Sequence, residues 1–150
     1  MKAVIQRVKN ASVSIGGNLF SSINAGILVL LGIEKGDSVQ EAEYVCGKLL
    51  RLRIFEDENE KMNYSVADIK GEILVVSQFT LAGNVKKGNR PSFDNAMKPD
   101  EAEILYEKFV EMLKLSGLKI ETGKFGAMME VSLVNDGPVT FIIEQKNSES

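Results

Sequence analysis

The sequence predicts an α+β fold, in which a curved, barrel-like, mainly antiparallel sheet is packed by two main helices. Apolar runs and apolar–polar alternation, both typical of strands, recur along the chain. Two stretches, 36–52 and 100–115, instead place apolar residues at helical spacing. The last strand candidates are joined by short connections, which favours antiparallel pairing between them.

Strands are predicted wherever apolar residues alternate or run continuously. Residues 2–8 alternate, and short strands are expected to flank a turn at Gly16 and Gly17. The continuous apolar runs at 25–33 and 71–81 indicate buried strands. The remaining strand candidates are 51–55, 118–122, 127–134 and 139–144.

Each predicted helix has candidate end signals. In the first helix, Ser38 and Glu41 have the spacing of a capping box. In the second, Asp100 and Glu103 are expected to cap the start, and Gly117 is a fitting stop. The residues expected to face the core are Ala42, Val45, Cys46, Leu49 and Leu50 in the first helix, and Ala102, Leu105, Phe109 and Met112 in the second.

Length and composition narrow the possible functions. The 150 residues are predicted to form one domain, 1–150, with a disordered polar tail at 145–150. Because the net charge is −3, a polyanion would need a local basic patch. The chain has no histidine and one cysteine, which excludes Ser-His-Asp and Cys-His catalysis and zinc sites of known spacing. No signal peptide or membrane span is evident, so we expect a cytoplasmic protein without a membrane partner.

Three stretches carry polar residues that a strand–helix pattern does not require. SQFTLAG (77–83) ends the most apolar strand, and capping hydroxyls are its ordinary structural explanation. NVKKGNRPSF (84–93), called the basic loop below, is either a solvated loop or a phosphate-binding loop. Its cations are Lys86, Lys87 and Arg90. NDGPVT (135–140) is predicted to form a rigid turn, because Asn, Asp and Gly tolerate left-handed backbone and proline cannot donate to a sheet.

Taken together, these stretches resemble the D-aminoacyl-tRNA deacylase family of the bacterial type. The resemblance runs in order from MKAVIQRV (1–8) through SQFTL and KKGNRPSF to NDGPVT, and covers almost the whole chain. It implies a deacylase-like fold and hydrolysis of the ester between a D-amino acid and the terminal adenosine of tRNA. Glycyl esters, such as glycine mischarged on tRNA-Ala, are also cleaved in the family. The activity serves chiral proofreading in translation quality control.

The resemblance also implies a homodimer without a cofactor or metal, whose active sites lie at the subunit interface. The catalytic segment is expected at Ser77, Gln78, Phe79 and Thr80. Nothing nearby in sequence would activate a hydroxyl of that segment as a nucleophile. In the family, the 2′-hydroxyl of the terminal ribose helps to activate the water, and the protein donates backbone N–H groups, here expected from Phe79 and Thr80.

Further roles follow from the resemblance, position by position. A cis Gly137–Pro138 bond from the partner subunit is expected to exclude L-amino acids, with Arg7 holding its loop. The adenosine is expected at Phe125, Gly126 and Met129 in KFGAMME, although core packing is the ordinary explanation for the phenylalanine and the methionine. The three cations of the basic loop are expected to contact tRNA phosphates.

Three other interpretations remain open at this point. A single-stranded nucleic-acid or tRNA binding module would use the same basic loop without turnover. A related fold serves as the editing domain of some threonyl-tRNA synthetases, but the sequence shows no synthetase domain. A purely structural dimer would bind no tRNA. Release of free amino acid from D-aminoacyl-tRNA separates these interpretations from the deacylase.

Overall fold

The computed structural model describes residues 1–146. The elements of this part of the chain are β1 (Lys2–Ile15), β2 (Asn18–Ile23), β3 (Gly26–Gly32), α1 (Val39–Arg51), β4 (Phe55–Glu56), β5 (Met62–Tyr64), β6 (Glu72–Ser77), a 3-10 helix (Phe79–Ala82), α2 (Pro99–Lys114), β7 (Ile120–Thr122) and β8 (Glu130–Glu144). Of the predicted tail, residues 147–150 lie outside the described residues, and the backbones of Gln145 and Met1 exchange two hydrogen bonds. Neither helix of residues 1–146 is long and apolar enough to cross a membrane.

The main sheet is mixed and curls toward closure. Strand β1 pairs antiparallel with β2, β3 and β8, whereas β3–β6 and β6–β7 are parallel. The curl brings β2 to β7, where the Ser21 hydroxyl donates to the Thr122 carbonyl at 2.7 Å. The predicted α+β fold, with a barrel-like sheet and two helices, is therefore confirmed.

The central strands are buried on both faces, which explains their continuous apolar sequences. On one face Ile27, Val29 and Ile73 belong to the core that both helices cover. On the other face Leu28 and Leu74 belong to a second core enclosed by the curled strands. Because successive strand residues point to opposite faces, an uninterrupted apolar run supplies both cores at once.

The start of α1 is the predicted capping box. The Ser38 hydroxyl accepts from the Gln40 N–H at 3.2 Å, and the Ser38 N–H donates to Glu41 Oε2 at 2.7 Å. Two backbone donors that the helix leaves free at its start are thereby satisfied. The hydrogen bond from Ser38 is the main cause that lowers the pKa of Glu41.

The start of α2 differs from the prediction. Lys98 is the N-cap residue but makes no side-chain cap, and Pro99 occupies the first turn. The Asp100 carboxylate, inside that turn, accepts from the Glu101 N–H at 3.0 Å. Capping by Asp100 and Glu103 was therefore wrong, because a proline at the first helical position has no N–H to satisfy and already has a helical φ. Gly117 does close the helix end, with φ of +80° and its N–H donating to Lys114.

Several predicted strands have other boundaries. The 51–55 candidate is wrong for the most part, because α1 continues through Arg51 and only Phe55 of that stretch belongs to a strand, β4. The 71–81 strand stops at Ser77 and turns into the 3-10 helix. Strand β7 pairs parallel with β6 rather than antiparallel with a later strand, so the inference from short connections was wrong there.

The turn predicted at Asn135–Gly137 is not a hairpin. Residues 130–144 form one strand, β8, which runs along the whole of β1. Val8 pairs with Asn135 and Gln6 pairs with Thr140, so only Arg7 lies opposite the four residues 136–139. This is an enlarged bulge, which pushes backbone out of the ladder without ending the strand. Residues 136–139 are called the Gly-Pro loop below.

Candidate functional site

The Ser77–Thr80 segment leaves the sheet at the end of a buried strand. The Gln78 N–H still donates to the Leu31 carbonyl at 2.8 Å, as the last rung beside β3. The chain then turns into the 3-10 helix, and Leu81 packs over Gly32, where a Cβ would lie 2.7 Å from that of Leu81. The tight turn leaves Phe79 and Thr80 at the surface, with Phe79 59% exposed.

This segment offers hydrogen-bond donors but no activated nucleophile. The Gln78 side-chain amide donates to the Thr80 hydroxyl. Within residues 1–146, no carboxylate or amine bonds to the hydroxyl of Ser77 or Thr80. The backbone N–H groups of Phe79 and Thr80 have no acceptor in that part of the chain, as expected at the start of a 3-10 helix. Such donors can stabilise a developing oxyanion.

The Gly-Pro loop projects from β8 and contains a cis bond between Gly137 and Pro138. Both residues are exposed, whereas Val139 is buried and anchors the end of the loop. Gly137 has φ of +135°, and a Cβ there would lie 2.6 Å from Val139 Cγ2 and 3.3 Å from Arg7 Nη2. The position therefore requires glycine on both conformational and steric grounds.

Arg7 lies beneath the Gly-Pro loop and contacts it directly. It is buried, its Nε donates to the Asp136 carbonyl at 3.1 Å, and its Nη1 donates to the Ile54 carbonyl at 2.7 Å. Two carboxylates balance its charge, Asp136 at 3.4 Å and Glu56 at 3.6 Å. The guanidinium thus links the loop to the segment between α1 and β4. No pattern in the sequence indicates Ile54 and Glu56 as partners of this arginine.

The two halves of the predicted site are far apart within one chain. Arg7, beneath the loop, pairs with Ile27 on β3, whereas Ser77 pairs with Leu31. Four residues of strand span about 13 Å. In addition, β1 and β3 lie between β8 and β6 in the sheet. One chain therefore does not bring the Gly-Pro loop to its own Ser77–Thr80 segment.

The basic loop lies directly after the Ser77–Thr80 segment. Its ends are held together by paired backbone hydrogen bonds between Asn84 and Ser92, of 2.7 and 2.9 Å. Lys86, Lys87 and Arg90 are exposed, and none of them forms an ion pair within residues 1–146. Phe93 at the end of the loop packs edge-on against Phe79, with ring centroids 5.1 Å apart. This aromatic pair was not predicted, although Phe93 stands in the quoted stretch.

The expected adenosine segment is not gathered into one pocket. Phe125 packs against Tyr106 of α2, with ring centroids 5.6 Å apart, and so adjoins the core under the helices. Met129 packs against the other core, where its sulfur lies near Gly123. Gly126 lies between them at an exposed turn with φ of +77°. Both side chains are partly buried, so part of each remains accessible at the surface.

Other titratable groups are held in structural roles. Burial raises the pKa of the Cys46 thiol and disfavours its reactive thiolate. Burial is also the main cause that raises the pKa of Asp37, whose carboxylate bonds to the Met1 ammonium at 2.9 Å. Among residues 1–146 no cluster of three potential His, Cys, Asp or Glu metal ligands is found.

A family model and several known proteins that match this chain all carry the description of a tRNA deacylase. The family model described as D-Tyr-tRNA(Tyr) deacylase matches residues 4–144. The D-aminoacyl-tRNA deacylase of Aquifex aeolicus is 60% identical, covering 97% of this chain and 99% of its own. That of Bacillus cytotoxicus is 56% identical, covering 97% and 100%.

Two solved structures share the fold. One, a c-Myc DNA Unwinding Element Binding Protein, is 50% identical with a TM-score of 0.92, covering 98% of this chain and 100% of its own. The other, a probable eukaryotic D-amino acid tRNA deacylase, is 17% identical with a TM-score of 0.80, covering 95% and 97%. The second likeness concerns the fold alone.

Proposed function

Because the chain belongs to the D-aminoacyl-tRNA deacylase family, a family of hydrolases, we propose that it hydrolyses the ester bond of D-aminoacyl-tRNA. The products are the free D-amino acid and tRNA, and glycine mischarged on tRNA-Ala is a further substrate. The observation that carries the proposal is the exposed Ser77–Thr80 segment, with two N–H groups free to donate to a substrate oxygen. We place this activity in the cytoplasm, in translation quality control.

The chemistry follows from what the segment offers. An aminoacyl ester is already activated, so hydrolysis needs a positioned water and a site for the oxyanion. Water adds to the carbonyl carbon while the N–H groups of Phe79 and Thr80 donate to the carbonyl oxygen. The terminal 2′-hydroxyl of the tRNA assists removal of the water proton. The carbon–oxygen ester bond then breaks, the 3′-oxygen leaves with a proton, and the amino acid departs as its carboxylate.

The second half of the site is proposed to come from a partner subunit. Within one chain the Gly-Pro loop lies about 13 Å along the strands from the level of Ser77. The same strand exposes apolar side chains on both faces beyond the loop, since Phe141 is 41% and Ile142 is 70% exposed. A homodimer would cover these side chains and bring each loop to the Ser77–Thr80 segment of the other subunit. An isologous dimer would then contain two equivalent sites.

Chirality is proposed to be read by the loop. A D- and an L-amino acid differ only in which direction the side chain leaves the α-carbon, so a fixed wall must occupy one direction. Gly137 and Pro138 are exposed at the tip of a loop that Arg7 anchors from below. Without a Cβ, Gly137 lets main chain approach the α-carbon of the substrate closely.

Matched tRNA substrates test the proposal directly. D-tyrosyl-tRNA and L-tyrosyl-tRNA are incubated with the protein, and release of free tyrosine is followed, with glycyl-tRNA-Ala as a third substrate. We expect release from the D-ester and the glycyl ester but not from the L-ester. Equal rates on the D- and L-esters would overturn chiral selection, and no release from the D-ester would overturn the deacylase.

A nucleic-acid binding module without turnover is the second candidate. It is favoured by the similarity to the 50% identical structure, which is named as a DNA unwinding element binding protein. The three cations of the basic loop and the exposed pair Phe79 and Phe93 suit a single strand, because bases stack on aromatic rings beside a cationic groove. Tight binding of single-stranded DNA together with no release of amino acid would favour this candidate.

A further inference from the structure

We infer that Asn135 is a positioning residue for the chiral selector, because its side chain closes the base of the Gly-Pro loop. This inference rests on the proposed function, in which that loop excludes L-amino acids. Asn135 does not touch the substrate in this scheme. It acts through the loop backbone, on which the position of Gly137 and Pro138 depends.

The geometry begins with the break in the ladder. Between the Val8–Asn135 pair and the Gln6–Thr140 pair, four residues of β8 face the single residue Arg7. In a regular antiparallel pair, every second residue of β8 would exchange two backbone hydrogen bonds with the opposite residue of β1. Four residues against one cannot keep that pattern, so the base of the bulge needs other donors.

The side-chain amide of Asn135 supplies them. Its Nδ2 donates to the Arg7 carbonyl at 2.9 Å and to the Val139 carbonyl at 3.0 Å. The first bond ties β8 to β1, and the second joins the residue before the loop to the last residue within it. A single amide thereby uses both of its hydrogens to fix the width of the loop.

Arg7 and Asn135 have separate roles at the loop. The Arg7 side chain binds the Asp136 carbonyl inside the loop and the Ile54 carbonyl outside it, whereas Asn135 binds the Arg7 main chain. The arginine therefore fixes where the loop sits over the protein. The asparagine fixes the separation of the two loop ends. If either residue is lost, the contacts of the other remain, but they do not by themselves fix the position of the loop tip.

Two variants and one control test the role. Asn135→Ala removes both donors, and Asn135→Asp keeps the shape while placing oxygens against the two carbonyls. Gln6→Ala is the matched control, because it removes the exposed 3.3 Å bond from Gln6 to Thr140 between the same two strands without touching the loop. The readouts are the ratio of D- to L-tyrosyl-tRNA hydrolysis and amide hydrogen exchange over residues 135–140.

We expect both Asn135 variants to lower the D-to-L ratio about tenfold to thirtyfold, since two hydrogen bonds are lost. We also expect faster exchange in the loop than in Gln6→Ala, with cooperative thermal unfolding retained in every variant. An unchanged ratio together with unchanged exchange would overturn the positioning role. If the unaltered protein hydrolyses no D-ester, the proposed function fails, while the exchange comparison still supports or overturns the bracing by Asn135.

Discussion

Two inactive variants should restore each other's activity if every active site is built from two chains. Thr80→Pro removes one backbone donor from the Ser77–Thr80 segment, since proline has no N–H. Gly137→Val displaces the Gly-Pro loop, because a Cβ at Gly137 would lie 2.6 Å from Val139 Cγ2 at a φ of +135°. The first change alters one half-site and the second alters the other.

The expected magnitudes follow from the geometry. Loss of one oxyanion donor commonly lowers the rate about 10²- to 10³-fold, so the Thr80→Pro homodimer should be almost inactive. At Gly137→Val the added side chain should crowd the substrate pocket, and backbone strain of roughly 1–3 kcal/mol should displace the loop. The second homodimer should therefore also hydrolyse the D-ester poorly. In a heterodimer, one site combines both intact halves and the other combines both altered halves. A symmetric interface therefore predicts about half of the unaltered activity.

The assay uses co-expression of the two variants with different affinity tags. Purification on both tags yields the heterodimer, and release of D-tyrosine from D-tyrosyl-tRNA measures its activity. Thermal melting of each homodimer verifies that both variants fold. A heterodimer no more active than the mean of the two homodimers would refute a site shared between chains, as would a monomer in sedimentation at the assay concentration.

Four further predictions concern binding, mechanism, stability and reactivity. Replacing the three cations of the basic loop by alanine should weaken tRNA binding and reduce the slope of log K against log salt concentration by about two to three. Replacing three cations elsewhere should leave that slope unchanged. An equal slope for both variants would contradict phosphate binding by the basic loop. A terminal 2′-deoxy substrate should bind normally but turn over slowly, so equal rates with the ribose substrate would remove the 2′-hydroxyl from the mechanism. Ser38→Ala should lower the free energy of unfolding in urea by about 1 kcal/mol at pH 7. Because the pKa of Glu41 is lowered in the folded state from a usual 4.5, this difference should be present above that pH and shrink as the pH falls below it. Alkylating reagents should react slowly with the buried Cys46, and activity should survive both these reagents and chelators. Inactivation by either would contradict the prediction that the reaction uses no thiol and no metal.

Short sequence patterns correctly predicted helix ends that depend only on neighbouring residues. The capping box at Ser38 and Glu41 and the stop at Gly117 depend on residues within one turn of the helix, and both were found where predicted. The capping of α2 failed because Pro99 starts the same helix in another way. Because the proline places the helix start one residue before Asp100, that carboxylate lies inside the first turn and not at the N-cap position.

Local sequence signals could not predict which strands pair with each other in the sheet. Residues 127–134 and 139–144 look like two strands of a hairpin because Asn135, Asp136 and Gly137 favour a turn. In the fold they are one strand, since β1 offers a long partner whose Arg7 accommodates the extra residues. That partner lies more than a hundred residues away in sequence, and no pattern within β8 itself reveals it.

The candidate site was predicted mostly from the family resemblance, and the roles of its residues stay predictions. Residues alone would have treated Phe125 as core, and the structure indeed packs it against Tyr106. The alternation of residues 2–8 places Arg7 on the same face as the buried Ala3 and Ile5, but it does not reveal what the buried guanidinium contacts. Its contacts with Ile54 and Asp136 depend on three segments meeting in space.

The long pairing of β1 with β8 has a consequence for biosynthesis. Lys2 pairs with Glu144 and Ser14 pairs with Glu130. The edge of β1 that faces away from β2 and β3 is therefore covered only when a strand more than a hundred residues later has been synthesised. At about 5–20 residues per second, one edge of β1 remains open on the order of ten seconds, exposed to mispairing with other nascent chains. The same late strand brings the Gly-Pro loop. A nascent chain therefore gains a completed sheet and its Gly-Pro loop in a single step.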